Sequence, residues 1–213
     1  MAHTRHTQLR SRGFNLLEVL VAMLIVMVGL LGLAGMQARA QISELESYQR
    51  AQALVLLYDI MDRLNNNRTT ASCFAVTLDT TNGAPYFGTS ATATAACSAS
   101  NPANNTLAIN SMTEWSNLLQ GASETKSGAN VGAIIGARGC ISYNSATEYL
   151  NATTGAAYGG TGEYTIAVSW QGMAPTFAAT KACGAGQYGT TVANDTKRRT
   201  VWATMRVGTL AAR

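Results

Sequence analysis

Histidine is almost missing from this 213-residue chain: there are two, His3 and His6, both within the first ten positions. Imidazoles confined to one extreme end leave little from which to build a general base, a proton relay or a zinc site. The four cysteines, Cys73, Cys97, Cys140 and Cys183, never fall in C-x-x-C spacing, which removes the usual zinc-ribbon and redox-dithiol patterns. The glycine-rich stretches at 155–162 and 184–189 lack the Lys and Ser or Thr that follow a phosphate-binding loop. Acidic residues are few and scattered, and no nucleophile motif occurs. The chain is therefore expected not to be an enzyme and to need neither cofactor nor metal.

Charge is equally thin. The formal value is +4, but Arg5, Arg10 and Arg12 account for three of the fifteen basic residues and have no acidic residue among them. Without that stretch, 12 basic minus 11 acidic residues leaves +1, too little for a broad phosphate-binding field. Lys197-Arg198-Arg199, close to Trp202, is a local basic cluster. At the start of a strand such a cluster reads more readily as solvated edge protection, so nucleic acid is not an expected partner.

What the chain does have is a concentrated apolar run. Residues 19–38 are twenty consecutive uncharged, mostly apolar positions, about the number a helix needs to cross the hydrocarbon core. Basic residues lie before the run and only Arg39 lies immediately after it, which predicts a cytoplasmic N-terminus and an exported remainder. All four cysteines fall on the exported side, so their even number predicts two disulfides in an oxidising compartment. Of the three possible connectivities, Cys73 with Cys97 and Cys140 with Cys183 is favoured because each pair closes a loop between neighbouring segments. Loops of these lengths stabilise a fold by roughly 3 to 4 kcal/mol each in the chain-entropy picture.

The junction into the run is Arg12-Gly13-Phe14-Asn15-Leu16-Leu17-Glu18. A short basic leader ending in Gly, then Phe, then a Glu inside an apolar stretch resembles the class III signal of type IV prepilins and type II secretion pseudopilins. The resemblance implies cleavage between Gly13 and Phe14 by a prepilin peptidase that also N-methylates Phe14. It further implies that Glu18 meets the N-terminal amine of Phe14 on a neighbouring subunit, which would satisfy an acid otherwise expensive at the edge of a spanning helix. A secretory signal peptide is the competing reading, since Ala38-Arg39-Ala40 has a small-x-small form. Against it, the run exceeds the usual 7 to 15 residues, carries Glu18 near its start and passes directly into a second helical pattern.

That second pattern is one-sided: Ile42, Leu45, Ala53, Leu56, Leu57, Ile60 and Leu64 share a helical face, and no Pro interrupts residues 14–64. A helix over these residues, stopped by Asn65-Asn66-Asn67, would run for about 76 Å at 1.5 Å per residue. Beyond it, residues 69–110 contain no Lys or Arg and read as a long connecting region stapled by Cys73 and Cys97. A short helix is predicted from the capping-box pair Ser111 and Glu114 to Gly121. Alternation predicts strands through Tyr164–Trp170 and Val201–Val207, with a weaker one in 133–143. Trp115, Trp170 and Trp202 are assigned to the core in preference to a glycan-stacking surface.

The expected class is α+β: a type IV pilin fold whose long N-terminal helix packs on a small antiparallel sheet. Its parts are a leader at 1–13, an apolar helical half at 14–38, an amphipathic half at 39–68 and a head at 69–213. Gly139-Cys140-Ile141, Val168-Ser169-Trp170-Gln171-Gly172, Cys183-Gly184 and Arg198-Arg199 resemble the pilus-modification branch of type IV pilus minor pilins. That resemblance implies an inner-membrane subunit that passes into the pilus. Its partners would be the prepilin peptidase and N-methyltransferase, the major pilin, other minor pilins and the inner-membrane assembly platform. A type II secretion pseudopilin is the alternative member of the same family.

Overall fold

The computed structural model describes residues 13, 15–132, 134–177, 179–189 and 195–208. Two units are distinguished along the chain, dividing after Leu45. Helix α1 (Leu16–Asn66) begins in the first and ends in the second. Its apolar first half holds one charged residue, Glu18, before Arg39. Leu16, Leu31 and Met36 are more than 70% exposed there, large apolar side chains left on the helix surface.

From Glu46 onward the chain builds a packed head. The buried positions of α1 are Gln49, Ala53, Leu57, Ile60 and Leu64, which recur every three or four residues along one face. Ile42 and Leu45, expected on that face, are 42% and 50% exposed, because burial starts one turn later, at Gln49. The helix ends where the Asn67 side-chain amide donates to the Arg63 carbonyl at 2.8 Å, meeting one of the carbonyls the last turn leaves open. A 3₁₀ segment, Arg68–Phe74, follows and buries Thr70, Ala71 and Phe74.

Helix α2 spans Pro102–Leu119 and corrects two expectations. It occupies the end of what read as a connecting region, and Ser111 and Glu114 lie inside it instead of capping its start. The actual cap is Asn101, whose side chain accepts from Asn104 N–H at 2.9 Å, with Pro102 supplying the preset φ of the first turn. Glu114 instead accepts from Arg63 at 2.7 Å, and Arg63 also pairs with Asp59 one turn back on α1. The C-terminal end falls at Gly121, which adopts φ +86°, a left-handed conformation that glycine enters without steric cost. Ala108, Met112, Trp115, Ser116 and Leu119 form the buried stripe, and the Trp115 indole N–H donates to the Leu56 carbonyl at 2.9 Å.

The sheet is antiparallel in the order β1 (Phe87–Gly88), β4 (Arg138–Asn144), β5 (Glu163–Gln171), β6 (Arg198–Arg206). A separate two-residue pairing joins β2 (Thr125–Lys126) to β3 (Ala129–Asn130). Strand β5 is central, pairing with β4 from Arg138↔Ser169 to Asn144↔Glu163 and with β6 from Glu163↔Arg206 to Gln171↔Arg198. Since side chains alternate across a strand, Tyr164, Ile166, Val168 and Trp170 share one face with Ile141, Val201, Ala203 and Met205. That face joins the α1 and α2 stripes in one hydrophobic core. The fold is thus α+β, with a long apolar N-terminal helix and a small antiparallel sheet.

Trp202 corrects the core assignment made for all three tryptophans. Trp115 and Trp170 are 0% and 3% exposed, but Trp202 is 49% exposed. It lies opposite Ala167, on the sheet face turned away from the helices, and Val201 takes the inward position beside it.

Candidate functional site

Two regions carry chemistry that packing alone does not explain. The first is the start of α1. Glu18 lies in the first helical turn, where a carboxylate complements the partial positive charge of the helix N-terminus. Its backbone N–H donates to the Asn15 carbonyl at 2.9 Å, its residue is exposed, and the segment that follows is long and apolar enough to cross a membrane. Gly13 is exposed. Phe14, assigned both the cleavage and the methylation, lies outside the described residues, as do residues 1–12 of the leader. The helix can serve as a membrane anchor or as an export signal.

The second region surrounds the disulfides of the head. Cys73 is bonded to Cys97 and Cys140 to Cys183, closing separations of 24 and 43 residues. These bonds fit an oxidising periplasmic or extracellular setting. Cys140 projects from β4 onto the outer sheet face, where it forms a small buried cluster with Tyr86, Ala167 and Cys183.

Beside that cluster, two arginines are almost fully withdrawn from solvent, Arg138 at 6% and Arg198 at 5% exposure. The Arg138 guanidinium lies 5.3 Å from the Tyr86 ring centre and 4.9 Å from that of Tyr188, between two electron-rich faces. Arg198 pairs with Asp195, which is 0% exposed, and donates to the carbonyls of Lys181 and Ala179. Asp195 in turn accepts from the backbone N–H groups of Gly186 and Tyr188 at 3.0 and 3.1 Å. Arg199 donates to Glu46 at 3.1 Å and to the Ala174 carbonyl at 2.7 Å. The sequence reading of Lys197-Arg198-Arg199 as a solvated strand edge is therefore corrected: two of the three are spent inside the head. Asp195, three residues before Arg198, was the readable signal.

The phenols near these groups are held neutral. Burial pushes the Tyr188 pKa up to about 12, against the opposing influence of Arg138, and its hydroxyl donates to the Gly136 carbonyl at 2.8 Å. Burial also raises Tyr164 and, together with the hydrogen bond to Glu148, Tyr143. Asp79 is shifted down by the Asn82 side-chain amide, within a turn closed by its own carboxylate. Among the described residues, no three His, Cys, Asp or Glu side chains converge as a metal cage, and no thiol remains outside a disulfide. The Asp195–Arg198 pair and its hydrogen bonds order the loop that carries Cys183.

The fold and these sites define a class: an apolar-helix-bearing chain with a disulfide-stapled α+β head. No family model matches the chain, and no curated protein or solved structure matches it either.

Proposed function

We propose that this chain is a minor pilin: a subunit of type IV pili that contributes to their assembly or priming. The observation that carries this reading is Glu18, a single acid in an otherwise uncharged apolar half-helix, five residues after Gly13 and in the helix's first turn. Leader removal after Gly13 leaves Phe14 as a methylated terminus and retains the apolar half of α1. The retained half first holds the chain in the inner membrane, with the head on the periplasmic side. On extraction into a filament, the exposed apolar face packs against the corresponding halves of the major pilin and other minor pilins, and Glu18 meets a neighbour's N-terminal amine. The prepilin peptidase and the inner-membrane assembly platform are the remaining partners. Two disulfides suit a head that works outside the cytoplasm.

Mass spectrometry of the protein from its native membrane tests the first step. A mature chain starting at methylated Phe14 is expected; one starting at Gln41 would mean an ordinary signal peptide and end the filament reading. Glu18→Ala tests the second step. It is expected to leave processing intact while the protein vanishes from sheared pili, and incorporation at normal levels would remove the role given to Glu18.

A further inference from the structure

The outer face of the sheet holds a groove of about 610 Å³ that the filament reading does not use. Its floor is made of short side chains: Ser142, Thr165 and Ala167 on β4 and β5, with the Cys140–Cys183 disulfide and Gly83 at one end. Thr80 and Thr180 stand on its walls. From Glu163 to Ala167 the floor spans five strand residues, roughly 14 Å over four steps of about 3.4 Å.

Its chemistry is hydroxyl-rich and sparsely charged. Thr80, Thr165 and Thr180 each bring a hydroxyl to the lining. Glu163 lines one end and Lys181 the other, and neither has an ion-pair partner among the described residues. Lys181 Nζ is held 4.5 Å from the centre of the exposed Trp202 ring, which restricts a side chain that is otherwise mobile. Arg206 flanks the groove opposite Glu163 but is turned aside, over Tyr149 and onto the Thr147 carbonyl. The lining itself thus carries one ammonium, Lys181, and one carboxylate, Glu163, so an anionic group has a single cation to pair with and no broad positive field. A nucleic acid would need far more, because Arg138, Arg198 and Arg199 are tied up inside the head. An apolar ligand would find few apolar walls, and a metal would find no cage of His, Cys, Asp or Glu among the described residues.

We propose that this groove binds a carboxylated saccharide. Thr80, Thr165 and Thr180 meet ring hydroxyls, Glu163 accepts from hydroxyls at its end, and Lys181, positioned by Trp202, pairs with the sugar carboxylate. Hydroxyl groups that both donate and accept suit polyol recognition, and a single restrained ammonium adds selectivity for one acidic ring.

Isothermal titration of the full chain in detergent micelles tests this with three probes: a galacturonic acid trisaccharide, a galactose trisaccharide and an oligoglutamate peptide. The uronic trisaccharide is expected to bind at least about tenfold more tightly than either of the others. Lys181→Ala is expected to remove that advantage, and Thr165→Val and Thr180→Val to weaken the uronic and neutral trisaccharides alike. Trp202→Ala is expected to weaken the uronic trisaccharide more than the neutral one. Near-UV circular dichroism and non-reducing electrophoresis establish that each variant is folded, with Thr180→Val at the exposed rim as the variant least coupled to the core. The proposal is overturned if the wild-type protein binds no uronic trisaccharide. Equal binding of oligoglutamate, equal binding of the neutral trisaccharide, or full binding by both Lys181→Ala and Thr180→Val overturns it too. None of these results depends on pilus incorporation, so the groove and the filament reading stand or fall separately.

Discussion

Asp195 and Arg198 form an ion pair inside the head, with side chains 0% and 5% exposed. The pair is the knot of a small network. Through Asp195 it fixes the backbone at Gly186 and Tyr188, and through Arg198 it fixes the carbonyls of Ala179 and Lys181. Strand β6 is thereby tied to the loop that carries Cys183 and forms one wall of the outer groove.

Breaking this pair from one side strands a buried charge. Asp195→Ala and Arg198→Ala are each expected to cost about 3 to 5 kcal/mol. Asp195→Ala combined with Arg198→Ala is expected to cost less than the two single changes added together, since no lone charge is left. Urea unfolding of the four proteins forms the cycle that checks it. Single variants within about 1 kcal/mol of wild type would show that water reaches the site.

The disulfides make a graded prediction. Closing 43 residues, Cys140–Cys183 should contribute about 4 kcal/mol, and Cys73–Cys97, closing 24, about 3.5 kcal/mol. The paired Ser variants, Cys140→Ser with Cys183→Ser and Cys73→Ser with Cys97→Ser, are expected to lower the denaturation midpoint in that order. The first pair also forms part of the buried cluster with Tyr86 and Ala167, so its removal should carry an added packing loss. Equal midpoints for variant and wild-type proteins would mean that the bonds constrain the unfolded chain far less than loop closure implies.

How much of this could be read in the sequence follows from the range of the interactions involved. Strand β5 was legible because Tyr164, Ile166, Val168 and Trp170 alternate locally, and the apolar half of α1 because its signal is compositional. The start of α2 is not legible because Asn101-Pro102 suits a turn as well as a helix N-terminus, and only the packing of Ala108 and Met112 decides between them. Trp202 was assigned to the core against its own alternation, which puts it with Thr204 and Arg206 on the outward face. Strand β1, two residues long, exists only by its pairing with Gly139 and Arg138, more than forty residues away. The outer groove was illegible for the same reason, since Thr80, Thr165 and Lys181 come together only through the sheet.

Gly139 gives a packing prediction. Its place on β4 is dictated by Trp115: a Cβ added there would come within 2.1 Å of the indole ring and 2.7 Å of the Leu119 side chain. The fully buried indole is held by its hydrogen bond to Leu56 and cannot retreat without opening the core. Gly139→Ala is therefore expected to cost on the order of 3 kcal/mol. Gly159→Ala, where nothing lies within 4 Å, is expected to have an effect under about 0.5 kcal/mol. Thermal unfolding of the two variants side by side checks the contrast, and similar melting temperatures would contradict the tight approach of β4 to α2.

The last prediction concerns alkaline pH. In the folded protein the Tyr188 phenol, raised to about 12 by burial, stays protonated where an unfolded tyrosine near pH 10 has ionised. The unfolded chain then binds fewer protons than the native one, so stability falls as pH rises through this window. Below pH 10 the contribution is intact; by pH 12 about 2 kcal/mol of it is gone, from this residue alone. Tyr164 and Tyr143, shifted in the same direction, add to the loss. Absorbance at the phenolate band during a pH titration should show Tyr188, Tyr164 and Tyr143 ionising only as the head unfolds. Tyr188→Phe gives up the hydrogen bond to Gly136, about 1 kcal/mol at neutral pH, but should flatten the alkaline decline. An unchanged slope between pH 10 and 12 in that variant would place the pH sensitivity elsewhere in the head.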